Sequence, residues 1–333
     1  MKKFIAIVLS IALILGLAAC GSSGSGSSAP AQEEKKLQIG ILQFAPHASL
    51  DNCTTGILSA LADRGYTEET CTIEFINGQG EIETNNLAAQ GFVNKDFDII
   101  IAIATPAVMS AYSAAKDAGI PVIFSAVSDP LGAGFVKTLE DPQSGATGTS
   151  DNLNYEAQLK LIRAFQPEAK TIGILYTTSE ANSIKQLAEY KAIAGNYGFE
   201  IKDQGVTDAS EIASGIASLI AGGIDCLCNL TDNNVVNNFS VVTAATDPAG
   251  IPCYGSEEEQ VAQYGCVGSE TLDYIALGYE TGDMAADVLE GADINSMAVS
   301  IVADSEPVYS SANLAKFNMQ VPAEYSSARD MAK

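Results

Sequence analysis

Short apolar runs alternate with longer segments of helical spacing, and the alternation repeats along most of the chain. Residues 37–43 read as a strand, and residues 50–64 carry Leu50, Ile57, Leu58 and Leu61 at helical spacing until Gly65 stops them. A strand over 72–76 and a helix over 82–94 follow. Residues 98–104 (DIIIAIA) form an unbroken apolar run, the pattern of a strand covered on both faces. A helix over 106–118 ends at Gly119-Ile120-Pro121, ahead of a strand over 122–125. After Gly148 the rhythm restarts with a helix over 156–165, a strand over 171–176, a helix over 182–197 and a strand over 199–202. Helices over 209–221 and 235–246 then alternate with strands over 226–230 and 251–254. Alternating strand and helix of this kind predicts an α/β protein with doubly wound parallel sheets.

The two halves echo each other. "KKLQIGILQ" is matched by "AKTIGILYT", and the run from Phe97 to Ser125 is matched by the run from Ile224 to Ser256. Each runs as buried strand, polar turn, helix, then a strand opened by Gly-Ile-Pro. Two such lobes joined by a hinge resemble the type I periplasmic binding proteins. The expected N-terminal lobe is 37–148 with a returning segment at 271–300. The C-terminal lobe is 149–270 with a late segment at 301–322, and 323–333 is a tail. Crossings near 148–150 and 268–271 are expected to absorb a hinge rotation.

Ahead of the lobes, Lys2 and Lys3 precede an apolar run over 4–17, and Leu17-Ala18-Ala19-Cys20 closes it with small residues before a cysteine. Charge, grease and small residues in that order form a secretory signal over 1–19. The run is shorter than the roughly 20 residues a membrane-spanning helix needs. The Leu-Ala-Ala-Cys tetrad resembles the lipobox of bacterial lipoproteins, which implies lipidation of Cys20 and anchoring at the outer face of the cell membrane. Residues 20–36 are rich in Gly, Ser and polar side chains and read as a flexible tether.

Charge narrows the partners. The chain has 17 basic and 41 acidic residues, and loss of Lys2 and Lys3 with the signal leaves 15 against 41, a formal charge of −26. Such a surface repels phosphate backbones, so no nucleic acid is expected, and it leaves membrane attachment to the lipid anchor alone. Six cysteines remain after Cys20. Cys226 and Cys228 read as buried free thiols, and Cys253 with Cys266 is the most plausible disulfide pair among 15 possible connectivities. With a single histidine and no C-x-x-C pair, no metal site and no cofactor are expected. No nucleophile elbow, P-loop or dinucleotide fingerprint is present, so an enzyme is not expected.

In open α/β sheets, ligands bind beyond the carboxyl ends of the strands. In the first lobe that rule selects Gln43 and Phe44, then Thr105, Pro106 and Ala107, then Val127 and Asp129. From the second lobe and its approach it selects Asn152, Tyr176, Ser179, Asn182, Ser183, Asp232, Asn233 and Glu257. Thr105 is placed at an N-cap with Pro106 at the first helical position, so the free N–H groups of that turn suit a carboxylate. For a zwitterion, Thr105 and the Ala107 N–H would hold the carboxylate, helped by Asn182 or Ser183. Asp232, or else Glu257 or Asp129, would accept the ammonium, because a buried unpaired ammonium is costly. Phe44 or Tyr176 would contact the side chain. Plain capping roles compete for Asp232, Asn182 and His47, and a turn role competes for Asp129.

The segments "IGILQFAPHASLD", "ATPA", "FSAVSDP", "GTSD", "TSEANS", "TDNN" and "YGSEEE", with a late "SANLAKFNMQVP", resemble the substrate-binding lipoproteins of tryptophan- and tyrosine-type ABC transporters. The resemblance covers 37–322. It implies a monomer that encloses a free amino acid, often aromatic, between its lobes and hands it to a membrane permease. The alternative is a lipoprotein that senses the same ligand and reports to a membrane receptor.

Overall fold

The computed structural model describes residues 36–302 and 304–332, and the signal segment, Cys20 and the tether lie outside the described residues. The first lobe runs β1 (Leu37–Gln43), α1 (Ala48–Asp63), β2 (Cys71–Asn77), α2 (Ile82–Asn94), β3 (Ile99–Ile103), α3 (Thr105–Ala115), β4 (Val122–Ser125) and β5 (Ala146–Ser150). The chain then crosses into α4 (Tyr155–Phe165), β6 (Thr171–Thr177), α5 (Ala181–Ile193), β7 (Glu200–Val206), α6 (Ile212–Ala221), β8 (Cys226–Cys228), α7 (Asn233–Asn237), α8 (Phe239–Thr246), β9 (Cys253–Tyr254), α9 (Glu258–Gln263) and β10 (Gly268–Thr271). It returns as α10 (Tyr274–Leu289) and β11 (Ser300–Ile301), and finishes with β12 (Glu306–Tyr309), α11 (Ser311–Lys316) and β13 (Arg329–Asp330).

These strands form two sheets. One has the order β11-β5-β4-β3-β1-β2 and the other β13-β12-β10-β9-β8-β6-β7. Pairing is parallel except where β12 runs against β10. The chain passes between lobes after β5, after β10 and between β11 and β12, so three segments join the sheets. All five residues of β3 are buried, as its uninterrupted apolar run requires. Full burial of each such large aliphatic side chain is worth about 1.5–3 kcal/mol. The returning helix α10 lies directly on α1. A Cβ at Gly278 would meet the Cys53 carbonyl oxygen at 2.1 Å, and one at Gly56 would meet the Ile275 carbonyl oxygen at 2.1 Å. Arg64 at the end of α1 bridges Asp283, Asp287 and Glu290 around α10 and its end.

Several local expectations differ from what forms. β5 is missing from the hydrophobic pattern because its sequence, Ala-Thr-Gly-Thr-Ser, is polar yet buried. Its hydroxyls find internal partners: Thr147 Oγ1 donates to the Met297 carbonyl at 2.8 Å, and Thr149 shares a bond with Thr281. The helix expected over 235–246 is broken at Asn238, whose amide donates back to the Asn234 carbonyl and whose backbone leaves the helical region. Thr105 is not the N-cap of α3. Ala104 holds that position with φ of +76°, which makes Thr105 the first helical residue. The stretch at 323–333 is not a plain tail, because β13 within it adds a parallel edge strand to β12. Cys253 and Cys266, the most plausible candidates for a disulfide, are not bonded to each other. Both are buried free thiols in one apolar cluster with Val235, Phe239 and Val242, and the Cys253 thiol pairs with the Thr246 hydroxyl at 3.2 Å.

Candidate functional site

Parallel strands followed by helices bring the N-termini of α1, α3, α5, α7 and α9 to one place between the lobes. Residues just before or at these helix starts, namely His47, Ala104, Thr105, Asn182, Asn233 and Glu257, line a small cavity of about 10 Å³ between the lobes. Leu50, Ala126, Ser128 and Thr231 complete its walls, and Asp151 and Tyr274 reach it from the crossing segments. That is room for about one water molecule, so an occupant of amino-acid size requires the lobes to part. Ala104 and Ala126, at the ends of β3 and β4, have φ of +76° and +55°. Such backbone is strained for a residue with a Cβ and clusters at ligand clamps.

Hydrogen bonds across the cleft hold the lobes against each other. The Ser49 hydroxyl donates to Glu257 at 2.7 Å and to Glu259 at 2.9 Å, and the Asn52 amide donates to Glu259 at 2.6 Å. On the other flank Gln186 Nε2 donates to Ser128 Oγ at 3.0 Å, and His47 Nε2 meets Asn233 Oδ1 at 3.3 Å. A second, larger groove of about 540 Å³ outside the cavity is bordered by Phe44, Pro106, Ser179, Glu180 and Asn233.

The cavity is acidic and uncompensated. Asp151 is buried and accepts from Ser128 Oγ and the Tyr274 hydroxyl. Burial pushes its carboxyl up, and these two bonds only partly offset that. Burial likewise raises Glu257 to about 7, against the lowering effect of its bonds from Ser49 and Gln260. Glu259 behind Ser49 is raised by burial and by the Glu257 charge. His47 is lowered by burial, which keeps the imidazole neutral. Among the described residues lining the cavity none is lysine or arginine.

Beneath α5 and α7 a second pair of acids does structural work. Asp232 is the N-cap of α7, and its oxygens accept from Val235 N, Thr177 N and Thr177 Oγ1. Glu180 accepts from Asn233 N, Asn233 Nδ2, Asn234 N and Asn182 Nδ2. Both are buried and both are pushed up, chiefly by burial and for Glu180 also by the Asp232 charge.

Of the residues expected from sequence, Thr105, Asn182, Asn233 and Glu257 meet at the cavity, and Phe44, Pro106 and Ser179 border the outer groove. The rest are engaged elsewhere. Gln43 donates to the Ala45 carbonyl and Asp51, and accepts from Thr54 inside the first lobe. Ala107 and Val127 are packed in that lobe's core. Asp129 caps the Gly132 N–H, and Asn152 is an exposed residue accepting from the Tyr155 hydroxyl. Tyr176 packs against the second lobe's core, and Ser183 is buried beside Asp232. Asp232, the first choice for an ammonium acceptor, has both oxygens occupied by its own lobe. Asp151, unlike Asp232, lines the cavity. Sequence reasoning does not reach it because it follows β5, a strand the apolar pattern does not show, and Tyr274 is hidden for a similar reason at the start of a returning helix.

Residues 38–330 match the family model described as ABC transporter substrate binding protein. A "Tyrosine-binding protein" of Clostridioides difficile (strain R20291) is 36% identical over 322 residues, covering 96% of this chain and 92% of that protein. The crystal structure of an ABC domain in complex with L-Trp from Streptococcus pneumoniae is 32% identical and superposes with a TM-score of 0.85, over 89% of this chain and 99% of that one. A ligand-free, open substrate-binding protein with adhesive properties from Clostridium difficile is 36% identical, yet its TM-score is 0.67 over 89% and 100% of the two chains. The open structure thus superposes less well than the complex with L-Trp although its sequence is the more similar. With this match along nearly all of its lobes, the chain belongs to the ABC transporter substrate-binding proteins, a family of solute binders rather than enzymes, and has the type I periplasmic binding protein fold.

Proposed function

We propose that this protein captures a free aromatic amino acid between its lobes and delivers it to the permease of an ABC transporter. The observation that carries the reading is the closed cavity with Asp151 and Glu257 facing it and no cationic side chain beside them. Buried carboxylates without a cation are costly, and a ligand ammonium supplies the missing charge. The carboxylate end of the same ligand fits the first turn of α3, where Thr105 lines the cavity with a hydroxyl not spent on capping. Leu50, Ala104, Ala126 and Tyr274 offer apolar contact to a side chain. Relatives named for tyrosine and for a bound L-Trp support an aromatic one.

The reading includes export and attachment through a lipidated Cys20, supported by the charge–apolar–small order of residues 2–20. No helix among the described residues is long and apolar enough to cross a membrane. A thermal-shift screen against the twenty amino acids tests the ligand. A binder present at 100 times its dissociation constant adds about 2.7 kcal/mol, a visible rise in melting temperature. Tyrosine and tryptophan should stand out, and a flat response to every aromatic amino acid would sink the proposal. Labelled palmitate should enter the native protein and not Cys20→Ala.

A further inference from the structure

Among the buried side-chain atoms that lack a hydrogen-bond partner, two sit on residues of the cavity: His47 Nδ1 and Asn182 Oδ1. Their chemical character follows from the network behind them. Asn182 Nδ2 donates to the Thr231 carbonyl at 2.8 Å, and a backbone carbonyl can only accept, so the side-chain oxygen is the free atom. Asn233 Nδ2 donates to Glu180 at 2.6 Å, so its oxygen is what meets His47 Nε2. His47 Nε2 must therefore carry the proton, and in a neutral imidazole Nδ1 is then a bare acceptor. His47 stands at the N-cap of α1 without using its side chain to cap it, so Nδ1 has no structural duty.

The cavity thus presents two kinds of acceptor: the charged Asp151 and Glu257, and the neutral His47 Nδ1 and Asn182 Oδ1. An α-ammonium pairs with the charged ones. We infer that the two neutral acceptors select a ligand whose side chain carries its own N–H or O–H donor, a phenol or an indole, and that they reject phenylalanine. The inference rests on the amino-acid reading above and adds the selection rule. A buried acceptor left unpaired by a hydrocarbon ring is penalised, which is why sites built for a hydroxyl discriminate strongly against its absence.

Titration calorimetry of the protein with tyrosine, tryptophan, phenylalanine and 4-fluorophenylalanine tests this. The fluoro compound fills the space of the phenol without donating. Tyrosine or tryptophan should bind at least about 10- to 100-fold more tightly than phenylalanine and its fluoro derivative. In His47→Phe or Asn182→Leu that ratio should fall toward one, mainly through loss of the tighter binder. Phenylalanine binding within threefold of tyrosine and tryptophan in the native protein would overturn the selection rule and leave the aromatic-ligand reading standing, and this comparison needs no variant to fold. A ratio unchanged in both folded variants would overturn the assignment to these two residues. Failure of every aromatic amino acid to bind would overturn the underlying reading and the rule with it.

Discussion

Glu257 gives a ligand-binding reaction whose pH dependence has a defined sign. Burial between the lobes raises it from 4.5 to about 7, and it faces Asp151, Glu259 behind Ser49, and the neutral His47, with no lysine or arginine among the described residues lining the cavity. A ligand ammonium beside it favours the carboxylate and returns its pKa toward the ordinary value. Binding therefore releases a proton between about pH 4.5 and pH 7 and releases none above pH 7. If the full shift of about 2.5 units is reversed, the linked free energy is about 3.4 kcal/mol, or roughly 300-fold in affinity between pH 7 and pH 4.5. Titration calorimetry with tyrosine or tryptophan at pH 5.0, 6.0, 7.0 and 8.0 should show affinity flat at the top and falling by up to about tenfold per unit below pH 7. The ligand-free domain should do the opposite. A carboxyl whose folded pKa is raised contributes stability below 4.5 that is lost as pH rises through 7, so its melting temperature should be higher at pH 5 than at pH 8. Glu257→Gln should bind about 10- to 100-fold more weakly at pH 8 and lose one proton's worth of the slope. An unchanged slope in that variant, or tighter binding in acid by the native protein, would refute the role given to Glu257.

Other perturbations separate structural from recognition roles. Asp232→Ala removes the cap of α7 and strands the Thr177 N–H and hydroxyl, so chemical denaturation should show a loss of about 2–4 kcal/mol while the folded fraction still binds ligand. Complete loss of binding in protein shown to be folded would restore Asp232 as an ammonium acceptor. Gly278→Ala forces a Cβ against the α1 backbone and should cost about 1–3 kcal/mol or more in the same measurement, with Ile275→Ala on the exposed face as a mild control. The six thiols at Cys53, Cys71, Cys226, Cys228, Cys253 and Cys266 should react with a thiol reagent slowly in native protein and fully after unfolding. Burial raises Cys228 to about 11 and Cys253 to about 12, so little thiolate is available in the native fold. Two thiols missing after unfolding would reveal a disulfide.

What the sequence discloses follows from which physical signal each element carries. β1, β3 and β4 lie under helices on both faces and must be apolar, so their positions are plain in the chain. β5 reaches the same burial with threonine and serine because its hydroxyls bond to Met297 and Thr281, partners about 130–150 positions away that no local pattern reveals. The strand-end rule locates the cavity but cannot say which side chain turns into it. An aspartate before a helix reads the same whether it caps the helix or holds a ligand, and Asp232 spends its oxygens on Thr177 and Val235 while Glu257, likewise at an N-cap position, keeps its side chain for the cleft. Asp151 comes to line the cavity only because three crossings meet at the hinge, a consequence of sheet order and not of composition.

Glu180 shows how far recognition can depend on a residue that does not line the cavity. Its carboxylate collects donors from Asn233 N, Asn233 Nδ2, Asn234 N and Asn182 Nδ2, which both starts α7 and fixes which end of two amides points forward. Through Asn233 it also sets the His47 tautomer, so one buried acid orients both neutral acceptors. Glu180→Gln keeps one acceptor oxygen and places an amide N–H₂ against groups that are themselves donors. Loss of a charge-assisted bond and a donor facing donors should destabilise the domain by about 2–3 kcal/mol. A purely structural role would end there, lowering affinity for all ligands alike. As a positioning residue Glu180 should also lower the ratio of tyrosine to phenylalanine affinity, because the freed amides can turn their nitrogen toward the ring. A variant with reduced stability and an unaltered ratio would confine Glu180 to capping, and would show that Asn182 and His47 keep their orientation by packing alone.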